Sequence, residues 1–384
     1  MSAKYYRNLL TQQTRIEAFR AALRRVVRPG DRVLEIGTGV GTFAFFAADA
    51  GASRVWAVDG DPIVHVAKSV ARRNDYADRI EWIRGWLPDV QLPEPADVVV
   101  FEDFPSRLLD TRVFHLLAHL HARYAAPACR FVPAAARFWV APVSSESLHT
   151  EIAPFGPSEQ AYGIRWDCVR EYVVNAPLQV AIPPDALAAL PAPLAELQFA
   201  TPTNVAALRG RAVWTLERDT AVHGLAYWFD LELAEGITLS NGPGADPGSW
   251  GHLFLPCDPP LPVAAGARLI ADVGPDVLAG GAPGWLGWTV TAGTAERRGH
   301  EFASVPAALA DLAAVSPEGT PHLSRRTQIE AVVLHLTDGR RTVASIAAGL
   351  RASYPELTPD EALRLVGETL RNRTATPARR EDGP

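Results

Sequence analysis

A chain of 384 residues exceeds what one ordinary hydrophobic core holds, so two or three domains are expected. Hydrophobic residues at 48% and charged residues at 21% place it among soluble globular proteins, and a net charge of −6 excludes a general nucleic-acid binder, which needs a basic field against phosphate. No apolar run reaches the roughly 18 residues that span a bilayer, and "MSAKYYRNLL" lacks the apolar segment and cleavage site of a signal peptide, so a cytoplasmic address is expected by default. Cys129, Cys168 and Cys257 are scattered without metal or redox spacing and read as packed, reduced thiols.

Along the chain, apolar residues recur at helical spacing from Thr11 to Val27 (Ile16, Phe19, Leu23, Val26), until "RPGD" stops the pattern. Tyr5 and Tyr6 precede this helix. Strand Val33–Ile36, helix Phe43–Ala50, strand Val55–Val58 and helix Pro62–Arg73 then alternate, with Asp61 as the N-cap of the last and Pro62 at its first position. Such alternation is an α/β pattern with a parallel sheet. Strands at Ile80–Ile83, Val98–Phe101 and Arg137–Val143 extend the sheet, with a helix over Thr111–Tyr124 between the last two. The first domain is therefore drawn at 1–143. From 144 to 317 short alternating segments such as "VWTLERD", "HGLAYWFDLEL" and "GWTVTAG" between Pro/Gly-rich turns read as a β-barrel domain. From 318 to 384 the pattern is helical: Arg325–Leu336, a "TDGRRT" turn, Val343–Ser353, and a helix opened by Thr358 as N-cap with Pro359 after it, then a tail.

The chemistry sits in "VLEIGTGVGTF", Val33 to Phe43, a strand running into a glycine turn and a helix. The glycines Gly37, Gly39 and Gly41 make GxGxG, whereas a dinucleotide fold reads GxGxxG beside a pyrophosphate. Glu35, at the strand end, would repel a pyrophosphate but suits an ammonium. S-adenosylmethionine (SAM) carries an ammonium and a sulfonium and no phosphate. Asp59, ending the next strand about twenty residues on, is placed to accept both ribose hydroxyls. The plainer alternative is a tight structural turn. His115 and His119, four apart on a helix, lack a third ligand and the intervening glutamate of a zinc motif, so no metal is expected.

With these motifs in place the chain resembles the class I SAM-dependent methyltransferases, and within them the protein arginine methyltransferases, from roughly Leu10 to Ala295. "LLTQQTRIEAFRAAL" resembles the family's helix ahead of the glycine motif, and the resemblance implies that Arg15 holds the cofactor carboxylate. "IEWIRGWLPDVQLPEPADVVVFEDF" resembles the stretch with the adenine contact, implied near Trp86 and Leu87, and the first of the family's two paired glutamates, Glu102. "YAAPACRFVPAAARFWVAP", "RDTAVHGLAYWFDLEL" and "GSWGHLFLPCDPPLPVAAG" resemble the crossover and the barrel. The implied architecture is a Rossmann-like methyltransferase domain, a β-barrel domain that binds the acceptor, and a small winged-helix-like C-terminal domain.

Two departures bear on the acceptor. No second glutamate follows Glu102; Asp110 is the nearest equivalent, and a helix N-cap is its alternative role. Asp103 and Phe104 follow Glu102 on the implied substrate side. Where the family has Thr-His-Trp, this chain has Gly248-Ser249-Trp250, with His252 beyond as a substitute imidazole; Trp250 is either an acceptor contact or barrel packing. Arg15 has a surface ion pair, and Glu102 a solvated loop acid, as the plainer readings. The last sixty residues resemble the helical part of the PqqD-like peptide-recognition family, which implies a precursor-peptide partner; a dimerisation or packing module is the alternative. Three functions stay open: nitrogen methylation of a peptide or protein, with arginine of a ribosomal precursor peptide as one case; methylation of a small molecule at O, N or C; and a catalytically silent scaffold. The family usually pairs through an arm inserted in the barrel, and a homodimer is a further expectation.

Overall fold

The structure, a computed structural model, describes residues 3–152, 160–246, 248, 250–306 and 318–371. The chain divides into two compact units, Met1–Pro306 and Ala307–Pro384.

The first unit opens with two helices, α1 (Ala3–Leu10) and α2 (Gln13–Val26), broken at Thr11–Gln12. Tyr5 and Tyr6, expected ahead of the first helix, are thus helical. Then follow β1 (Arg32–Ile36), α3 (Thr42–Asp49), β2 (Arg54–Asp59), α4 (Val64–Arg73), β3 (Ile80–Arg84), β4 (Ala96–Phe101), α5 (Thr111–His119) and β5 (Ala125–Val132). The strands form one parallel sheet in the order β3-β2-β1-β4-β5. Val33, Leu34, Val98, Val99 and Val100 are fully buried, as expected of parallel strands covered on both faces. Register sets Ile36 beside Val58 and Phe101, so Gly37, Asp59 and Glu102 follow in a row along the carboxyl edge.

Three expectations need correction. The fifth strand of the parallel sheet is Ala125–Val132, and Arg137–Val143 is not in this sheet. That segment, as Ala135–Val143, pairs antiparallel with Thr220–Ala234 and Ala192–Gln198 in the barrel, so the crossover falls near Pro133 and not after Val143. Helix α4 begins at Val64, because Asp61 Oδ1 accepts from Ile63 N (3.0 Å) and closes a turn one step earlier. Cys257 is buried and Cys129 half-buried, but Cys168 is exposed.

The barrel is antiparallel. One sheet has the order Ala192–Gln198, Ala135–Val143, Thr220–Ala234, His252–Val263, Leu178–Val180, with Ile237–Ser240 also on Thr220–Ala234; the other runs Gly210–Thr215, Arg268–Val277, Pro283–Ala292, Ala295–His300. Between Val143 and Leu178 the chain inserts helices Glu146–Ile152 and Asp167–Val174. Barrel and parallel sheet share one core, in which Phe101 meets Phe199 edge-on at 5.1 Å and Phe104 meets Phe229 at 5.8 Å.

In the second unit three helices, Arg325–Leu336, Val343–Ser353 and Pro359–Leu370, enclose Ile329, Val333, Ile346, Leu350, Ala362 and Val366. Their starts are legible in the sequence because each has a side-chain cap: Ser324, Thr342, and Thr358 in a reciprocal capping box with Glu361. Asp338 Oδ1 accepts from the backbone N–H of Arg340 and Arg341, both at 2.9 Å, to shape the "TDGRRT" turn. Residues 318–323 form no strand. Among the described residues no helix is long and apolar enough to cross a membrane.

Candidate active site

The carboxyl edge of the parallel sheet gathers the glycine turn, Asp59 and Glu102. Gly37, Gly39 and Gly41 all have left-handed backbones (φ +73°, +55° and +93°). All three also serve close approaches. A Cβ on Gly41 would lie 2.3 Å from the Trp82 ring, and one on Gly39 would lie 2.8 Å from the ring of Tyr6. Helix α1 therefore lays Tyr6 on the turn. Burial, with the nearby Asp59 and Asp61 carboxylates, pushes the Tyr6 phenol above its usual range.

Glu35, expected at the strand end to suit an ammonium, turns inward. It is buried, and it accepts from the Thr38 hydroxyl at 2.6 Å and from the backbone N–H groups of Phe43 and Ala44. The carboxyl thus closes the turn and caps the start of α3, where orphan N–H groups need an acceptor. Burial pushes it up to about 8, against those hydrogen bonds. Asp59 accepts from Gly39 N and Asp61 N, each at 2.8 Å, and burial raises it too. Gly60, next along, packs flat under Trp86, which is 62% exposed; Leu87 is half-buried against the core.

Glu102 follows β4 directly. Its Oε2 accepts from Arg15 Nη1 at 2.7 Å, and the two side chains are 17% and 8% exposed. The pair is largely withdrawn from water, so the surface-bridge reading of Arg15 fails. Burial first and then the neighbouring Asp103 charge push Glu102 up to about 7, with Arg15 opposing. Arg15 Nη2 donates to the Leu9 carbonyl (3.3 Å), while its buried Nε has no partner among the described residues. Asp103 pairs with Arg112 (2.8 Å), which also bonds the Asp103 carbonyl, and its Cβ lies 2.9 Å from where a Cβ on Gly37 would stand. It borders the glycine turn.

Several expected site residues prove structural. Phe104 and Trp250 are buried, stacked at 5.4 Å and 11°, so both join the domains instead of presenting rings to an acceptor. Asp110 is the N-cap of α5, its Oδ1 accepting from Val113 N at 2.8 Å. His252 is buried, Nδ1 accepting from Ile182 N at 2.8 Å, and burial lowers its basicity, so it does not supply the missing imidazole. Ser249 lies outside the described residues. Sequence reading missed Arg112, whose pairing with Asp103 depends on how α5 packs back on the strand end.

These groups fit a phosphate-free, zwitterionic nucleoside. Gly37, Gly39 and Gly41 leave no room for a Cβ, two strand-end acids bound the turn, and Arg15 keeps an unpartnered N–H for a carboxylate.

Comparison with known proteins agrees with this geometry. The family model "Arginine methyltransferase oligomerization subdomain" matches residues 134–273, and that of "Ribosomal protein L11 methyltransferase (PrmA)" matches residues 17–104. The arginine N(omega)-methyltransferase of Streptomyces achromogenes subsp. streptozoticus is 30% identical over 273 residues, 69% of this chain and 74% of the relative. The chain belongs to the arginine methyltransferase family. Protein arginine N-methyltransferase PRMT10 of Oryza sativa subsp. japonica is 27% identical over 295 residues, 68% of this chain and 78% of that protein. In fold, the chain is similar to the Trypanosoma brucei PRMT1 enzyme-prozyme complex with AdoHcy (TM-score 0.69, 21% identity, 77% of this chain and 97% of that one). It is also similar to Arabidopsis thaliana protein arginine methyltransferase 10 (TM-score 0.64, 20% identity, 78% and 98%). Membership makes the chain a SAM-dependent methyltransferase, with a Rossmann-like donor domain and a barrel.

Proposed function

We propose that the methyl acceptor is a guanidine nitrogen of arginine, carried by a peptide or protein. The observation behind this reading is Glu102: a half-buried carboxylate at the strand end that already accepts a guanidinium, that of Arg15, at 2.7 Å. When bound, the cofactor supplies an electrophilic methyl carbon on a sulfonium. For the chain's own part, Arg15 Nε would hold the donor's carboxylate, Asp59 the ribose hydroxyls, and the exposed Trp86 ring the adenine. Arg15 drawn toward that carboxylate would loosen its hold on Glu102, which would then grip the acceptor and align one nitrogen for in-line displacement. With the donor bound, transfer to that nitrogen would break the donor's S–C bond, and Glu102 Oε2 would take the proton that the methylated nitrogen sheds. A carboxyl pushed up to about 7 is matched to that exchange near neutrality.

A second reading, free arginine as acceptor, is favoured by the Streptomyces relative, whose name specifies arginine and no protein. The helices after residue 323 would bind a precursor peptide under the first reading. Deleting 323–384 then raises KM for a long peptide and leaves free arginine unaffected; equal effects on both would remove that role. The helices inserted between Val143 and Leu178 would be the arm through which two copies pair, and sedimentation of a chain lacking them tests this. Mass spectrometry after incubation with SAM separates the acceptors: gain of one methylene unit by an arginine peptide supports the first reading, and gain by free arginine alone supports the second.

A further inference from the structure

Gln12 stands in the break between α1 and α2, at the N-cap of α2, yet its side chain makes no capping bond there. Its Oε1 is buried and has no hydrogen-bond partner among the described residues. An amide oxygen left so forfeits its hydration without replacing it, and such groups in native proteins are commonly completed by a water or ligand. Its direction is fixed by Gly248, where an ideal Cβ would stand 3.3 Å from Oε1. The loop it faces leads within two residues to Trp250, stacked on Phe104, itself two residues after Glu102. On the other side, one turn along α2, Arg15 holds Glu102. Gln12 and Glu102 are thus linked through Arg15 on α2 and, through the Trp250–Phe104 stack, by the segment that Gly248 belongs to.

We propose that Gln12 Oε1 is an acceptor-binding oxygen, receiving one N–H of the substrate guanidinium beside Glu102. This rests on the guanidine reading above and names a specificity-determining residue within it. A guanidinium presents five N–H donors in a plane and needs acceptors on more than one edge. Asp110, the nearest candidate for a second carboxylate, is committed to the start of α5. A neutral oxygen provides the second edge without another buried negative charge near Glu102, Asp103 and Asp59, a crevice where burial already pushes Glu102 and Asp59 upward. The pairing selects planar acceptors with adjacent N–H groups over a lysine ammonium.

The test is steady-state methylation of free arginine and of a peptide with one arginine, alongside calorimetric SAM binding, for Gln12→Ala and the same-sized Gln12→Glu. Expected is a rise of about tenfold or more in acceptor KM for Gln12→Ala, the loss of one hydrogen bond to a charged donor, with SAM affinity within about twofold. Gln12→Glu, which restores an acceptor oxygen at the cost of a further charge, should give a KM below that of Gln12→Ala. An unchanged KM in Gln12→Ala overturns the proposal, as does an equal loss of SAM affinity, which would assign Gln12 to seating α1 and α2 on the donor site. If the wild-type enzyme binds SAM but methylates neither arginine substrate, the guanidine reading itself has failed.

Discussion

Replacing Glu102 by glutamine keeps the shape of the side chain and removes its charge, leaving the Arg15 guanidinium, 8% exposed, without its counter-ion. Breaking a buried pair from one side costs about 3–5 kcal/mol; with Glu102 itself 17% exposed, roughly 2–3 kcal/mol is the sounder expectation. For a unit of this size that lowers Tm by roughly 3–5 °C. The variant should nevertheless bind SAM at least as tightly as the wild type, because Glu102 no longer competes with the donor's carboxylate for Arg15. SAM should therefore raise Tm more in Glu102→Gln than in the parent. Methyl transfer should fall by two to three orders of magnitude, the loss of about 3–4 kcal/mol of charge-assisted positioning. Differential scanning fluorimetry with and without SAM, beside turnover with saturating donor, reads all three quantities. Unaltered Tm together with more than a tenth of wild-type turnover would refute the reasoning, and loss of SAM binding would show that Glu102 supports the donor and not the acceptor.

Glu35 gives a pH signature. Its folded carboxyl keeps a proton up to about 8, whereas an unfolded one releases it near its ordinary value of 4.5, so the folded state binds more protons across that window and stability falls as pH rises through it. The Glu35→Gln variant should flatten the decline of Tm between about pH 5 and 8; a parallel decline in both proteins would assign the dependence elsewhere. Gly39→Ala forces a left-handed backbone on alanine and sets its Cβ 2.8 Å from the Tyr6 ring. Calorimetry should show SAM affinity reduced at least tenfold, and wild-type affinity would contradict the role given to the turn. Asp110→Ala should cost about 1 kcal/mol in urea unfolding while Asp110→Asn, which still caps, keeps both stability and turnover. A hundredfold drop in turnover for Asp110→Asn would instead make Asp110 a second acceptor clamp.

What the sequence revealed follows from how local each signal is. The alternation of apolar strands and amphipathic helices through Arg73, and the capped C-terminal helices, depend on neighbours a few residues away and were read with bounds close to those observed. The fifth parallel strand was not, because "AAPACRFV" mixes small and polar residues without a clear period. Ala135–Val143 shows the same buried pattern whichever sheet receives it, so only its hydrogen-bond partners decide. Within the site, the row of Gly37, Asp59 and Glu102 was readable because strand ends in a parallel sheet share an edge. The inward turn of Glu35, the stacking of Phe104 on Trp250 and the isolated oxygen of Gln12 arise from contacts between segments far apart in sequence, or from which way one side chain rotates. No spacing rule encodes those.

The central claim is that this crevice brings a methyl donor and an arginine nitrogen together across Glu102. It is tested most directly by incubating the full chain with SAM and an arginine-bearing peptide or free arginine, then locating any added mass by tandem mass spectrometry. The expected result is one or more methylene units on a guanidine nitrogen, lost in Glu102→Gln. Methylation confined to an oxygen, a carbon or a lysine nitrogen, or undiminished in that variant, would contradict it.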